Sequence, residues 1–134
     1  MNLRSCAAVL SLLVLAACSA PASRESFHRS DGSGEYSFDV ELADTAATYS
    51  FSFYTTVDSP PLLPDTLSSF PMRLLWRAPS GRSFSETVYY PAKSRKVCYR
   101  RGVTPAEPGL WTLYVSVVPE PPGLRGLGLI VSRD

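Results

Sequence analysis

Histidine is all but missing from this sequence: His28 is the only one in 134 residues. Cysteine is nearly as scarce, with Cys6, Cys18 and Cys98 alone. No Cys or His falls at metal-ligand spacing, so His28 is expected to be a solvent-exposed side chain rather than a ligand. The chain also has no G-x-S-x-G elbow and no glycine-rich phosphate loop. Catalysis is therefore not expected, and no cofactor or metal is. Excess charge of one sign is missing too: 13 Lys and Arg stand against 12 Asp and Glu. That balance gives no reason to expect nucleic acid or an anionic membrane face as a partner. Only two lysines occur, while 12 prolines and 8 glycines punctuate the chain. Such a composition speaks against a helical bundle and for many turns.

The one sustained apolar run, Cys6 to Ala17, follows the short positive segment MNLRS. It has about half the ~20 residues a spanning helix needs, so it reads as a signal segment. Its end, Leu15-Ala16-Ala17-Cys18, resembles the bacterial lipobox, in which the cysteine thiol receives lipid and becomes the first residue after cleavage. The resemblance implies a signal peptide over residues 1–17 and a lipid on Cys18. Several acyl chains make a stable anchor at ~0.8 kcal/mol per buried methylene. Ser19 stands where inner-membrane lipoproteins of many Gram-negative bacteria carry aspartate, and no acidic cluster follows Cys18. Outer-membrane attachment facing the periplasm is the implied address.

With Cys6 removed and Cys18 lipidated, Cys98 is left without a disulfide partner, and the fold must stand on its core. The basic flanks SRKVCYRRG could lower the thiol's pKa, but the sole histidine lies far away in sequence. A half-buried structural cysteine is expected. Residues 18–33 are small and polar with no sustained period, and are expected to form a flexible tether.

From Gly34 onward apolar and polar residues alternate at a period of two, the mark of half-buried strands. Tyr36, Phe38, Val40 and Leu42 share one face, and Tyr49, Phe51 and Phe53 continue the pattern. The linker LADTAA predicts an antiparallel hairpin between these two runs. The proline-rich stretch DSPPLLPDTLSSF predicts a long loop or edge crossing. Next, Phe70, Met72, Leu74 and Trp76 line one face of a strand. APSGR turns the chain, and SFSETVYY returns with Phe84, Val88 and Tyr90 on one face, a second hairpin. Residues Pro91 to Pro108 are the least regular, with a short strand around Val97 to Tyr99. Trp111, Leu113, Val115 and Val117 point inward from the following strand. Leu127, Leu129 and Val131 do so from the last, where Gly126 and Gly128 suggest a bulge or close packing under a large side chain. The expectation is an all-β domain over residues 34–134, an antiparallel β-sandwich of six to eight strands, jelly-roll or immunoglobulin-like. The Cys–Trp–Cys pattern of antibody domains is missing, and a small barrel is the second choice.

Several segments together resemble the gliding-motility lipoprotein GldH family of the Bacteroidetes. They are the lipobox, the strand GEYSFDVEL, the turn W-x-x-P-S-G-R, the run VTPAEPGLWTLYV and the C-terminal GLRGLGLIVSRD. The sequence departs from the family pattern in two places. The segment before Glu107-Pro108-Gly109 is short, and VSVVPEPPG replaces a polar run in the penultimate strand. The resemblance implies a non-catalytic accessory of a gliding and protein-secretion machine, with membrane contact through the lipid and protein partners in the cell envelope.

Three groups of side chains are candidates for function. Lys93, Arg95, Lys96, Arg100 and Arg101 could form a docking patch for an acidic partner or for lipopolysaccharide phosphates. Tyr54, Tyr89 and Tyr114 could form an aromatic platform for a glycan, the alternative reading. Asp39, Glu41 and Glu86 raise the question of a carboxylate pair. Carboxylates alternating outward on a strand are the ordinary defence of a sheet edge, and that is the reading taken for them.

Overall fold

Strands that alternate apolar and polar residues must bury one face each, and two such sheets laid face to face satisfy all of them at once. The computed structural model describes residues 23–57 and 68–134. The signal segment, Cys18 and most of the proline-rich loop lie outside the described residues.

The described residues form eight strands: β1 (Ser23–Arg29), β2 (Glu35–Leu42), β3 (Tyr49–Val57), β4 (Phe70–Arg77), β5 (Ser83–Tyr90), β6 (Lys96–Val103), β7 (Gly109–Ser116) and β8 (Leu124–Arg133). They form two four-stranded antiparallel sheets, ordered β1-β8-β3-β6 and β2-β7-β4-β5. Only β4 and β5 are consecutive strands within one sheet; every other step changes sheet. This is the strand order of a jelly roll, the double Greek key of the sandwich class. Among the described residues there is no helix long and apolar enough to cross a membrane.

The core is made by the inward phase of each run. Phe38, Val40, Phe53, Leu74, Leu113, Val115, Leu127 and Leu129 are all buried between the sheets. The β4–β5 hairpin forms as expected. Arg77 pairs with Ser83, Gly81 adopts φ 91°, and its N–H bonds the Ala78 carbonyl at 2.9 Å. A positive φ of that kind carries no steric penalty for glycine.

The expected β2–β3 hairpin does not form. β2 pairs with β7 and β3 with β6 and β8, so residues 43–48 carry the chain across the sandwich instead. The alternation of a strand specifies which face is buried, and either sheet offers the same reward for that face.

Residues 23–29 also depart from expectation. They form β1 at the edge of the first sheet, in register with β8 from Ser23 opposite Ser132 to Arg29 opposite Gly126. Every β1 residue is exposed, so the strand leaves no apolar alternation to read. Backbone pairing and two aromatic contacts hold it, and in the first Phe27 stacks on Tyr54 of β3, ring centroids 5.8 Å apart. Between them lies Gly128 of β8, paired with Phe27 on one side and Tyr54 on the other. A Cβ on Gly128 would run into the Tyr54 ring, so the glycine is the floor on which the tyrosine lies. The close packing suggested by the glycines of the last strand is thus present.

Both sides of the sandwich are bounded by edge strands. β1 and β2 lie together on one side, where His28 meets Phe38 at 5.0 Å between ring centroids. β5 and β6 lie together on the other. β2 displays Glu35, Asp39 and Glu41 to solvent, whereas β6 displays Lys96, Arg100 and Arg101. The edge strands β2 and β6 thus differ in charge, while β1 beside β2 exposes Arg24, Glu25 and Arg29.

A candidate binding cleft at the β5–β6 edge

The expected strand at Val97 to Tyr99 is longer, Lys96 to Val103, and it is the edge of its sheet. Its pairing with β3 is irregular: Phe51 lies opposite Arg100 but Ser52 lies opposite Cys98, which leaves Tyr99 as an extra residue. A bulge of this kind bends an edge strand and re-aims its side chains. Here it directs Tyr99 inward, toward the second sheet. The Tyr99 ring packs on Phe53 at 5.5 Å, and its hydroxyl lies between Trp76 of β4 and Glu86 of β5.

These groups form a closed set of hydrogen bonds. Trp76 Nε1–H donates to the Tyr99 hydroxyl at 3.2 Å, and that hydroxyl donates to Glu86 Oε1. Arg100 donates to the other carboxylate oxygen of Glu86 at 2.7 Å, and its guanidinium also lies 5.3 Å from the Tyr99 ring centroid. Partial burial alone would raise the Glu86 pKa. The hydrogen bonds from Tyr99 and Arg100 and the adjacent positive charge outweigh it and hold the carboxyl below its ordinary value. Burial, and then the carboxylate it bonds, push the Tyr99 phenol up.

Beside this set lies a cavity of about 170 Å³ lined by aromatic and aliphatic groups, chief among them Phe51, Trp76, Phe84, Tyr99 and Trp111. Trp76 organises it. Phe51 tilts against it at 5.2 Å, Phe84 stacks at 6.5 Å and Trp111 meets it edge-on at 6.3 Å. The cavity opens at the edge of the sandwich, where Phe84 is 52% exposed although it sits on the inward phase of β5. The Trp111 indole N–H is already bonded to the Glu107 carbonyl at 3.1 Å. Glu107 in turn receives the Ser80 N–H at 2.7 Å and the Ser80 hydroxyl at 2.8 Å. The two turns Pro79-Ser80-Gly81 and Glu107-Pro108-Gly109, distant in sequence, are thereby fastened together beneath the cleft.

Of the five basic residues Arg100 alone lines this opening, and Lys93, Arg95 and Lys96 lie toward the other end of β6. Lys93 and Arg95 sit in the turn that leads into β6, with Lys96, Arg100 and Arg101 on the strand. Arg100 is committed to Glu86, and Arg101 donates to Cys98 Sγ at 3.3 Å. Lys93, Arg95 and Lys96 have no carboxylate partner among the described residues. Cys98 is exposed rather than half-buried, because it stands on the solvent phase of an edge strand.

The three tyrosines are not brought together. Tyr54 lies on the outer face of the first sheet over Gly128, while Tyr89 and Tyr114 lie on the outer face of the second. Tyr89 is 71% exposed and Tyr114 37%. Arg77 covers the Tyr114 ring at 5.6 Å. Asp39 and Glu41 are exposed side by side on the edge strand β2, on the opposite side of the sandwich from Glu86, so Glu86 pairs with neither. No cluster of three metal-ligating side chains exists among the described residues, and His28 is exposed.

The aromatic cleft itself was hidden in the alternation, since Trp76, Trp111 and Phe51 read as ordinary core. One signal marked it. Glu86 shares the inward phase of β5 with Phe84 and Val88, and a carboxylate in that phase means the face is not closed there. No family model and no curated protein sequence matches the chain.

Proposed function

We propose that this chain is a non-catalytic binding module of the bacterial cell envelope. In this reading it is held to the outer membrane, facing the periplasm, by a lipid on Cys18, and it engages a protein partner at its β5–β6 edge. The observation that carries the reading is the pairing of an open aromatic cleft with a basic strand at the edge of its sheet. Exposed apolar surface rimmed by charge is the ordinary anatomy of a docking site. The GldH-like turns would place the partner in a gliding or protein-secretion machine, and these turns are the ones fastened beneath the cleft by Glu107 and Ser80.

A photoreactive amino acid at Phe84 tests the reading in the native envelope, with the same group at Ser37, on the far edge, as control. A protein cross-linked from position 84 and not from 37 is expected. Recovery of no partner from position 84 overturns the docking reading. The anchor is tested separately by metabolic labelling with a fatty acid, which Cys18→Ala should abolish; unchanged labelling sinks it.

A glycan-binding reading has one observation in its favour. A depression of about 400 Å³ on the outer face of the second sheet, lined by Pro71, Arg73, Thr87, Ser116 and Val118, has Tyr89 and Tyr114 at diagonal corners. Mobility of the protein in gels containing envelope polysaccharide, compared with a Tyr89→Ala variant, tests it; identical unretarded migration of both dismisses it.

A further inference from the structure

The cleft contains almost no polar atom that is free to bond. The Trp76 and Trp111 indole N–H groups, the Tyr99 hydroxyl and both Glu86 oxygens are all engaged within the protein. A sugar ring or an amide inserted here would lose its hydration and find almost no hydrogen-bond partner in return. What the cleft rewards is an apolar group, and its volume of about 170 Å³ suits a single ring or a branched aliphatic side chain; an apolar cavity of ~150 Å³ is known to accept benzene.

The strand beside it has its own requirement. Among the described residues β6 pairs with β3 alone, so every other N–H and C=O along its outer edge meets no other described strand. Lys96, Arg100 and Arg101 are exposed along that edge, with Lys93 and Arg95 in the turn before it. A basic edge repels a second basic strand and attracts an acidic one.

Resting on the protein-docking reading above, we propose that the partner presents an extended acidic segment, which adds to β6 as a fifth strand of the first sheet and inserts one aromatic or large aliphatic side chain into the Trp76–Trp111 cleft. Main-chain pairing would supply affinity, the cleft would select the anchor, and the basic residues would set partner choice and speed of encounter.

The test uses three fluorescein-labelled peptides and the full-length chain in non-ionic detergent micelles, with binding followed by anisotropy. The probes are Asp-Val-Phe-Val-Asp, the same peptide with Ala for Phe, and the same with Lys for both Asp. The first is expected to bind at least about tenfold more tightly than either control. Methylating its alternate amide nitrogens should abolish binding in one of the two phases. Ala106→Trp, which fills the cleft from its exposed rim, and Phe84→Ser, which removes its lip, should each erase the advantage of Phe over Ala. Equal affinities for the three probes overturn the proposal, and so does a Phe advantage that survives both variants. Self-association of the chain alone, seen by sedimentation and lost in Ala106→Trp, overturns it in favour of a second copy. A partner cross-linked at Phe84 in the absence of any probe discrimination leaves the docking reading standing and removes this mode of it.

Discussion

Tyr99 of β6 and Glu86 of β5 join the two sheets by a hydrogen bond between side chains, across the open side of the sandwich. Elsewhere the sheets meet through apolar packing. Here, at the cleft, a phenol, a carboxylate and the Arg100 guanidinium do that work instead. The Glu86 carboxyl is held below its ordinary value of 4.5. The fold therefore favours its ionised form. The stabilisation is fully present above the ordinary value and is lost as pH falls through the lowered one. Glu86→Gln should cost about 1 kcal/mol or less at neutral pH, because Arg100 is half exposed. The gap between wild type and variant in urea unfolding should close as pH drops below 4.5. A gap that widens on acidification would contradict the arrangement.

Gly128 and Tyr54 make a second test. Gly128→Ala forces the tyrosine ring off its floor and should destabilise by about 1–3 kcal/mol. In a Tyr54→Ala background the same change should cost much less, since the clash has been removed. Additive effects in this cycle would mean that the ring does not rest on the glycine.

Tyr90 is fully buried and stacked on Phe70 at 4.9 Å, yet its hydroxyl has no hydrogen-bond partner among the described residues. Burial drives its phenol well above the usual range. Tyr90→Phe removes an unsatisfied group without opening a cavity, so it should stabilise the fold by about 1 kcal/mol. Thermal and urea unfolding should agree on the sign.

Cys98 stands on the solvent side of β6 with the Arg101 guanidinium beside its sulfur. A thiol reagent should modify it stoichiometrically in the native protein, with no lag for unfolding. Because the side chain packs against nothing in the core, alkylation should leave the midpoint of urea unfolding unchanged within error.

Strand phase was legible in the sequence wherever a strand has one wet and one dry face. Phe38, Leu74, Leu113 and Leu129 are buried as their alternation requires. Pairing was less legible. Tyr36 to Leu42 and Tyr49 to Phe53 look like the two arms of a hairpin, but period-two alternation carries no information about which sheet a strand joins. β1 was illegible for a different reason. Every one of its residues is exposed, so backbone bonds to β8 and the Phe27–Tyr54 and His28–Phe38 contacts define it. The basic cluster was legible as composition, and its relation to Trp76 and Trp111 was not. That relation depends on β6 bulging at Tyr99 and on sheets that neither run predicts alone.

The pairing of Ser23 with Ser132 sets the length of the leash. Five residue steps separate Cys18 from Ser23, and a chain spans at most ~3.6 Å per step, so a lipid on Cys18 would keep the start of β1 within about 18 Å of the bilayer surface. That start lies at the same end of the sandwich as Tyr49 and the 43–48 connection, and hence as Leu42 and Val103 in the wall of the cleft. On the proposed anchoring, a domain so closely moored would not range far from the bilayer, and a partner for the cleft would have to be resident in, or recruited to, that membrane.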